Sequence, residues 1–294
     1  MRILPVIALM LILGVVFAHA DIAYADTPKG HVQVIQPIRG TFEEGGTIDF
    51  GVVGPGQKIE IEIARSSNIY DFNNVEEIWD RLVIEDDTLP LLWKPEYSLK
   101  YEANPKAFVT VYRGADEQSY TFQMHTQRDY GIAANYPVKF DAKVLVSKYV
   151  VGLKVLSKEV SSGTGQPAVF TLGITNKGAA NDAFEIEVVS GLPERWSYKK
   201  QVYVPHNSAK EVRYEVIASE QVDSEITFRV TSLSSISSGA SEEKKIFAED
   251  TATLHTRSGL LQDMKSVGSG VILFPYIEQA VYYLLGFVAN NLMG

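Results

Sequence analysis

The sequence predicts an all-β protein made of two tandem antiparallel β-sandwiches, preceded by a signal peptide and followed by a hydrophobic helix. Three observations support this prediction. Apolar and polar residues alternate in many short runs, a Leu-Pro-x-x-Trp motif occurs twice, and both ends of the chain carry long apolar segments. Hydrophobic residues make up 46% of the 294 residues and charged residues 21%, as is typical of chains that fold around packed cores.

An N-terminal signal peptide is predicted from three features that stand in the order secretion requires. Arg2 provides a positive charge, an uninterrupted apolar run follows over residues 3–17, and Ala-His-Ala then offers small residues at a cleavage site. We therefore expect removal of residues 1–20, or of 1–25 if the Ala-Tyr-Ala that follows is used. An uncleaved anchor is the alternative, because the apolar run is just long enough to span a bilayer. In either case we expect the rest of the chain to be exported.

The first sandwich is expected over residues 27–148, where short segments alternate between apolar and polar residues. The clearest of them is Ile59-Glu-Ile-Glu-Ile63. A period of two places every second side chain on the same face of a strand, so the isoleucines are expected to face the core. Residues 66–80 break this pattern with acidic, amide and aromatic side chains. We therefore interpret 66–80 as an insertion between two strands.

The second sandwich is expected over residues 149–256, where the alternation is more regular. Phe170, Leu172 and Ile174 alternate with small or polar residues, and similar segments follow. Turn-forming residues such as Asn176-Lys-Gly178 separate the segments. The pattern amounts to about seven strands in about 100 residues, the number expected of an immunoglobulin-like sandwich.

The two halves resemble each other, which indicates an internal duplication. Leu89-Pro-Leu-Leu-Trp93 recurs as Leu192-Pro-Glu-Arg-Trp196. Proline ends a strand at a sheet edge, and a tryptophan just after it has the bulk to enter a core. We therefore predict equivalent buried positions for the two tryptophans of the motif, Trp93 and Trp196. A second pair of predicted counterparts is Phe50 and Phe170.

These motifs also resemble a known group of domains. The segment from Phe170 to Gly178, Asp182-Ala-Phe184 and the Leu-Pro-x-x-Trp motif are similar to the alpha-galactosidase-associated and CARDB-like Ig-type domains of archaeal and bacterial surface proteins. The resemblance covers about 149–256 well and the first half more faintly. A glycine usually precedes the tryptophan in that family, whereas Leu92 and Arg195 stand there in this chain. The resemblance implies a spacer, adhesion or binding module without catalytic residues.

The C-terminal part of the chain is predicted to form a stalk at residues 257–269 and a membrane-associated helix at 270–293. Glu278 is the one charged residue of that helix, and a segment of this length crosses a hydrocarbon core of about 30 Å. Four polar or small side chains recur at helical spacing and share one face: Gln279, Tyr283, Gly286 and Asn290. Such a face contacts another helix or water more readily than lipid. A helix in the membrane plane and a buried soluble helix therefore stay open as alternatives to a spanning anchor.

Composition and motifs exclude several classes of function. The 27 Lys and Arg residues against 36 Asp and Glu give a net charge of -9, which argues against nucleic-acid binding. The chain has no cysteine, so disulfides, thiol catalysis and cysteine-held metals are impossible. Nucleophile-elbow, zinc-protease, P-loop and dinucleotide motifs are missing from the sequence. We therefore expect a protein that is not an enzyme and needs no cofactor.

The insertion is the best candidate for a binding site. Its oxygen-bearing side chains are the type that calcium prefers, although they do not follow the EF-hand spacing. The candidate calcium ligands are Asp71, Asn73, Glu76 and Glu77. The aromatic residues beside them offer a surface to a protein or a sugar. These interaction candidates are Tyr70, Phe72 and Trp79.

The function expected from the sequence is that of an exported, membrane-attached cell-surface protein with tandem interaction domains in a structural, adhesion or spacer role. One alternative is an accessory subunit of a membrane complex, packed through its C-terminal helix. Another alternative is a carbohydrate-binding protein or a secreted enzyme. The expected partners are the membrane and a protein, and a glycan is a further option.

Overall fold

The computed structural model describes residues 30–258, apart from residues 101, 238 and 240. The predicted signal peptide, stalk and C-terminal helix, including its polar face of Gln279, Tyr283, Gly286 and Asn290, lie outside the described residues. Within the described part of the chain, no helix is long and apolar enough to cross a membrane. Nearly all regular structure is β-strand, so the all-β fold class is confirmed.

The first unit contains eleven strands, which form two main sheets and one small one. In chain order they are β1 (His31–Gln36), β2 (Gly40–Glu43), β3 (Thr47–Val53), β4 (Lys58–Ile63), β5 (Ser66–Tyr70), β6 (Glu76–Ile78), β7 (Arg81–Ile84), β8 (Lys94–Tyr97), β9 (Lys106–Thr110), β10 (Ser119–Gln127) and β11 (Lys139–Val146). One main sheet has the order β2-β1-β4-β9-β8 and the other β3-β11-β10-β7, while β5 and β6 pair with each other. A 3-10 turn at Ala133–Asn135 lies between β10 and β11.

The second unit contains eight strands and a single turn of α-helix. In chain order they are β12 (Val151–Val155), β13 (Glu159–Gly163), β14 (Pro167–Asn176), β15 (Asp182–Ser190), β16 (Lys200–Val204), β17 (Ser208–Ile217), β18 (Val222–Ser232), α1 (Leu233–Ser237) and β19 (Phe247–Arg257). The sheets have the orders β12-β14-β17 and β13-β19-β18-β15-β16. Two 3-10 turns lie at Glu194–Trp196 and Glu242–Lys244.

Both units share the same connection between their two sheets. The first strand of each unit joins one sheet in antiparallel pairing, β1 with β4 and β12 with β14. The chain then crosses to the opposite sheet, where β3 runs parallel to β11 and β13 runs parallel to β19. In the first unit the neighbours β1-β4-β9-β8 face the neighbours β7-β10-β11, which is the division of strands in an immunoglobulin-like sandwich.

This connection corrects one predicted equivalence. Phe50 lies on β3 and Phe170 lies on β14, and these strands have different places in their sheets. The counterpart of β14 is β4, since each pairs in antiparallel fashion with the first strand of its unit. Both phenylalanines are buried, and so alternation alone could not distinguish their strands.

Each unit encloses its own apolar core between its sheets. The alternating burial of β4 and β14 places Ile59, Ile61 and Ile63 in one core and Phe170, Leu172 and Ile174 in the other. The two motif tryptophans are also buried, with Trp93 6% and Trp196 8% exposed. The Trp93 ring contacts Tyr120 at 5.1 Å between centroids, and the Trp196 indole N–H donates to the Ser219 hydroxyl at 2.9 Å.

A buried polar contact joins the two units. Gln57 of the first unit is fully buried and donates from its side-chain amide to the Asp182 carboxylate of the second at 2.7 Å. The backbone N–H of Ala179 donates to the carbonyl of Val52 at 2.6 Å. The Lys244 ammonium reaches across to the backbone carbonyl of Ala115 at 3.1 Å. Directional bonds of this kind define one relative orientation of the sandwiches.

The turn before Trp93 carries a strained residue. The Trp93 N–H donates to the Pro90 carbonyl at 3.0 Å, and Leu92, at the third position of this turn, has φ +69°. A leucine in the left-handed region costs about 1–2 kcal/mol, because its Cβ approaches the following carbonyl. In the second unit the corresponding residue, Arg195, lies in a 3-10 turn and is not strained in this way.

Replacing Leu92 with glycine should therefore stabilise the protein. Leu92 is largely exposed, so little burial is lost. We expect a rise in the free energy of unfolding of about 0.5–1 kcal/mol once the entropy cost of glycine is subtracted from the strain. The matched control Arg195→Gly should lower it by about 0.5–1 kcal/mol, since there is no strain to relieve. Urea denaturation of both variants measures the two changes in the free energy of unfolding. Changes of the same sign in the two variants would contradict the assignment of strain to Leu92.

Candidate interaction surface

The insertion forms a hairpin of its own. Strands β5 and β6 pair through Tyr70 with Glu76 and Ile69 with Glu77, and they stand between β4 and β7. The corresponding connection of the second unit, between β14 and β15, is a short turn over residues 177–181. The hairpin is therefore the main addition of the first unit to the shared sandwich.

Asp71 shapes the tip of the hairpin. One oxygen of its carboxylate accepts the backbone N–H groups of Asn73 at 2.8 Å and Val75 at 2.9 Å. Asn74 has φ +60°, a conformation that asparagine tolerates in tight turns. The bond from the Val75 N–H is the main cause that holds the pKa of Asp71 below its ordinary value. The carboxylate that the sequence assigned to calcium thus organises the turn itself.

The other two acidic candidates point to separate partners. Glu76 accepts hydrogen bonds from the Ser66 hydroxyl and from the Asn68 N–H, and the Ser66 bond is the main cause that lowers its pKa. Glu77 is 6% exposed and accepts the N–H groups of Ile132 at 2.9 Å and Ala133 at 2.6 Å. These bonds attach the hairpin to the loop between β10 and β11.

No three His, Asp or Glu side chains gather into a metal-binding group anywhere in the described part of the chain. The carboxylates of the insertion are instead taken up by hydrogen bonds within the hairpin and to the neighbouring loop. Calcium binding by Asp71, Asn73, Glu76 and Glu77 stays a prediction.

The three aromatic candidates divide between the core and the surface. Trp79 is fully buried, joins the first core and donates its indole N–H to the His31 carbonyl at 3.3 Å. Its assignment to the interaction surface is thereby corrected, because the chain returns to the sandwich at this point. Phe72, at the tip, is 98% exposed, and Tyr70 is half exposed.

A second loop contributes to the same end of the sandwich. Between β10 and β11, the Arg128 guanidinium donates to the carbonyls of Ile78 at 2.9 Å and Tyr130 at 2.7 Å. Tyr130 is itself mostly exposed. This tyrosine is not among the residues predicted from the sequence, although the run Arg-Asp-Tyr-Gly is typical of a turn with an exposed aromatic residue.

We call the exposed apolar side chains of the hairpin and this loop the hairpin surface. It consists of Tyr70, Phe72, Val75 and Tyr130. Its base is rigid, because Trp79 and Glu77 attach it to the core and to the neighbouring loop. A surface of exposed aromatic side chains on a fixed base is suited to contact with another molecule.

Comparisons with known proteins add only distant likenesses. No protein-family model matches the chain, and no curated protein matches it. A chimeric titin Z1Z2 covers 79% of this chain and 98% of its own length at 10% identity and a TM-score of 0.33. The CARDB domain of the PF1109 protein from Pyrococcus furiosus covers 36% and 85%, at 12% identity and a TM-score of 0.24. An endo-fucoidan hydrolase covers 74% of this chain but 28% of its own, at 14% identity and a TM-score of 0.32. We draw no functional conclusion from these likenesses.

Proposed function

We propose that this chain is a non-enzymatic interaction protein that is exported, attached to a membrane through its C-terminal segment, and bound to a partner protein through the hairpin surface. The two sandwiches act as a scaffold in this proposal. Their polar contact through Gln57 and Asp182 fixes how the first unit stands on the second. The hairpin surface then lies on the first unit, the one further along the chain from the C-terminal segment.

The observation that carries this proposal is the exposure of Phe72 on a rigid hairpin. A phenylalanine that is 98% exposed buries almost no apolar surface, so it does not stabilise the fold. Binding surfaces commonly present a few aromatic side chains that become buried against a partner. Because Asp71 fixes the tip and Trp79 fixes the base, little conformational entropy is lost when such a surface is covered.

A photo-crosslinking amino acid at position 72 should therefore capture a defined partner in the native membrane environment. The matched control places the same amino acid at Phe247, a half-exposed phenylalanine of the second unit. We expect one discrete crosslinked product from position 72 that weakens with Val75→Ser. Equal products from both positions would contradict the proposed surface, and loss of the product with a chelator would assign a role to calcium.

Membrane attachment is tested by truncation. The full mature chain should require detergent for extraction, and a chain that ends at Arg257 should be recovered without detergent, because the apolar segment is then gone. Carbonate washing separates the two membrane models, since an in-plane helix is released and a spanning helix is retained. Detergent-free recovery of the full chain would contradict membrane attachment and leave the crosslinking result unaffected.

A further inference from the structure

The two units differ in where the strand after the Leu-Pro-x-x-Trp motif goes. In the second unit β16 pairs with β15, from Asp182 opposite Val204 to Ile186 opposite Lys200. In the first unit the corresponding strand, β8, pairs with β9 of the opposite sheet. As a result β7, the counterpart of β15, is the last strand of its sheet among the described residues. The internal duplicate thus shows which neighbour β7 lacks.

A groove of about 920 Å³ runs along this free edge. Its walls are β7 on one side and the end of β8 with the following loop on the other. The apolar part of its lining comes from Val83, Ile84, Tyr97 and Leu99. The volume falls within the range of about 300–1,000 Å³ typical of ligand pockets, and the groove follows a strand edge rather than closing around a small cavity.

Main-chain groups of β7 face this groove. The Tyr97 hydroxyl donates to the backbone carbonyl of Ile84 at 3.2 Å, which shows that this carbonyl points away from β10. Alternate residues of an edge strand direct their N–H and C=O groups to the same side, so those of Leu82 face the groove as well. An extended peptide can form ladder hydrogen bonds with such an edge, with one of its N–H groups replacing the Tyr97 hydroxyl at the Ile84 carbonyl.

The charges along the groove define the direction of such a peptide. Glu85, Asp86 and Asp87 line one end, and the exposed Arg81 lines the other. Lys100 also lines the groove, from the loop after β8, and it pairs with Asp129. In the second unit Lys199, just before β16, forms ion pairs with Glu185 at 2.7 Å and Glu187 at 3.2 Å. A strand antiparallel to β7 places its N-terminal residues beside the acidic end. A basic N-terminal end therefore fits both the groove and the example of β16.

We propose that an extended segment of a partner protein pairs antiparallel with β7 and occupies the position that β16 has in the second unit. The segment is basic at its N-terminal end and carries apolar side chains at alternate positions after it, as Val202 and Val204 are placed on β16. This site is separate from the hairpin surface and does not depend on it.

The first probe is a labelled peptide with the chain's own sequence from Lys199 to Val204, Lys-Lys-Gln-Val-Tyr-Val. Its binding to the purified protein is measured by fluorescence polarisation, and amide shifts of β7 by NMR. We expect saturable binding with shifts at Leu82, Val83 and Ile84. The double variant Asp86→Lys with Asp87→Lys should weaken binding about five- to tenfold through loss of exposed ion pairs. A peptide with both lysines replaced by glutamate should bind that variant better than the native protein.

Two controls make the result decisive. The charge-matched pair Glu211→Lys with Glu215→Lys, exposed on β17, should leave binding unchanged. N-methylation of alternate peptide residues should weaken binding at least about tenfold, because it removes ladder hydrogen bonds. Binding that survives N-methylation, or shifts at β17 in place of β7, would overturn the proposal. Concentration-dependent self-association that the peptide does not inhibit would assign the edge to a second copy of the chain and overturn the partner segment.

Discussion

Replacing Trp79 with alanine should lower the free energy of unfolding by about 3–5 kcal/mol, as large-to-small substitutions do in packed cores. Trp79 is fully buried and belongs to the apolar core of the first sandwich. The substitution leaves a large cavity and removes the indole N–H that donates to the His31 carbonyl. Urea denaturation followed by circular dichroism measures the change without depending on tryptophan fluorescence.

The control is Phe72→Ala in the same insertion. Because Phe72 is exposed, its removal should change the free energy of unfolding by less than about 0.5 kcal/mol. With the photo-crosslinking amino acid placed at Tyr130 of the same hairpin surface, Phe72→Ala should nevertheless weaken the crosslinked product. A stable Trp79→Ala variant would show that the insertion is independent of the core. A destabilised Phe72→Ala variant would show that the tip packs against the protein itself.

Replacing Asp182 with alanine should cost about 3 kcal/mol or more, because several buried donors lose their acceptor together. The Asp182 carboxylate accepts from Gln57 and Ser234 at 2.7 Å each and also from the Ser232 hydroxyl. Ser232 and Ser234 lie close together at the end of β18 and the start of α1, whereas Gln57 belongs to the other sandwich. The effect should therefore combine lost stability of the second sandwich with a loosened joint between the two.

Two comparisons separate these effects. Gln57→Ala removes the bond between the sandwiches but leaves the serine partners of Asp182 in place, so it should loosen the joint with a smaller loss of stability. Asp86→Ala, at an exposed aspartate, should be neutral. The rate of limited proteolysis near residues 147–150 measures how firmly the two sandwiches are joined. Urea denaturation measures the free energy of unfolding. An unchanged rate of proteolysis in Gln57→Ala and in Asp182→Ala would show that the other contacts hold the two sandwiches together without this bond.

Local alternation predicted much of the fold. Segments such as Ile59 to Ile63 and Phe170 to Ile174 became strands with the expected faces buried, because the period of two follows directly from strand geometry. The sheet to which a strand belongs is not a local property. Phe50 was paired with the wrong counterpart for that reason, since its strand runs parallel to β11, far away in sequence.

The site was predicted less completely than the fold. The insertion was recognisable because its composition breaks the alternation. Phe72 is exposed, and its role in an interaction stays a prediction. Trp79 was wrongly assigned to the surface because seven of the nine residues before it, 70–78, are polar or aromatic. Their composition gives no sign that the chain returns to the core at Trp79. The groove beside β7 has no sequence signal at all, because it arises from a strand that joins the opposite sheet. The contact of Gln57 with Asp182 is equally non-local.

The parallel pairing of β13 with β19 has a mechanical consequence. The ladder runs from Glu159 opposite Thr253 to Gly163 opposite Arg257, so the chain enters β13 at one end of the ladder and leaves β19 at the other. In the proposed function, tension between a partner on the first sandwich and a membrane attachment beyond Arg257 would pull these strands past each other along their length. In this shear geometry all hydrogen bonds of the ladder bear the load together. In a hairpin pulled from its open end, the hydrogen bonds break one after another. Under the proposed attachment, the second sandwich would therefore resist opening when it is pulled.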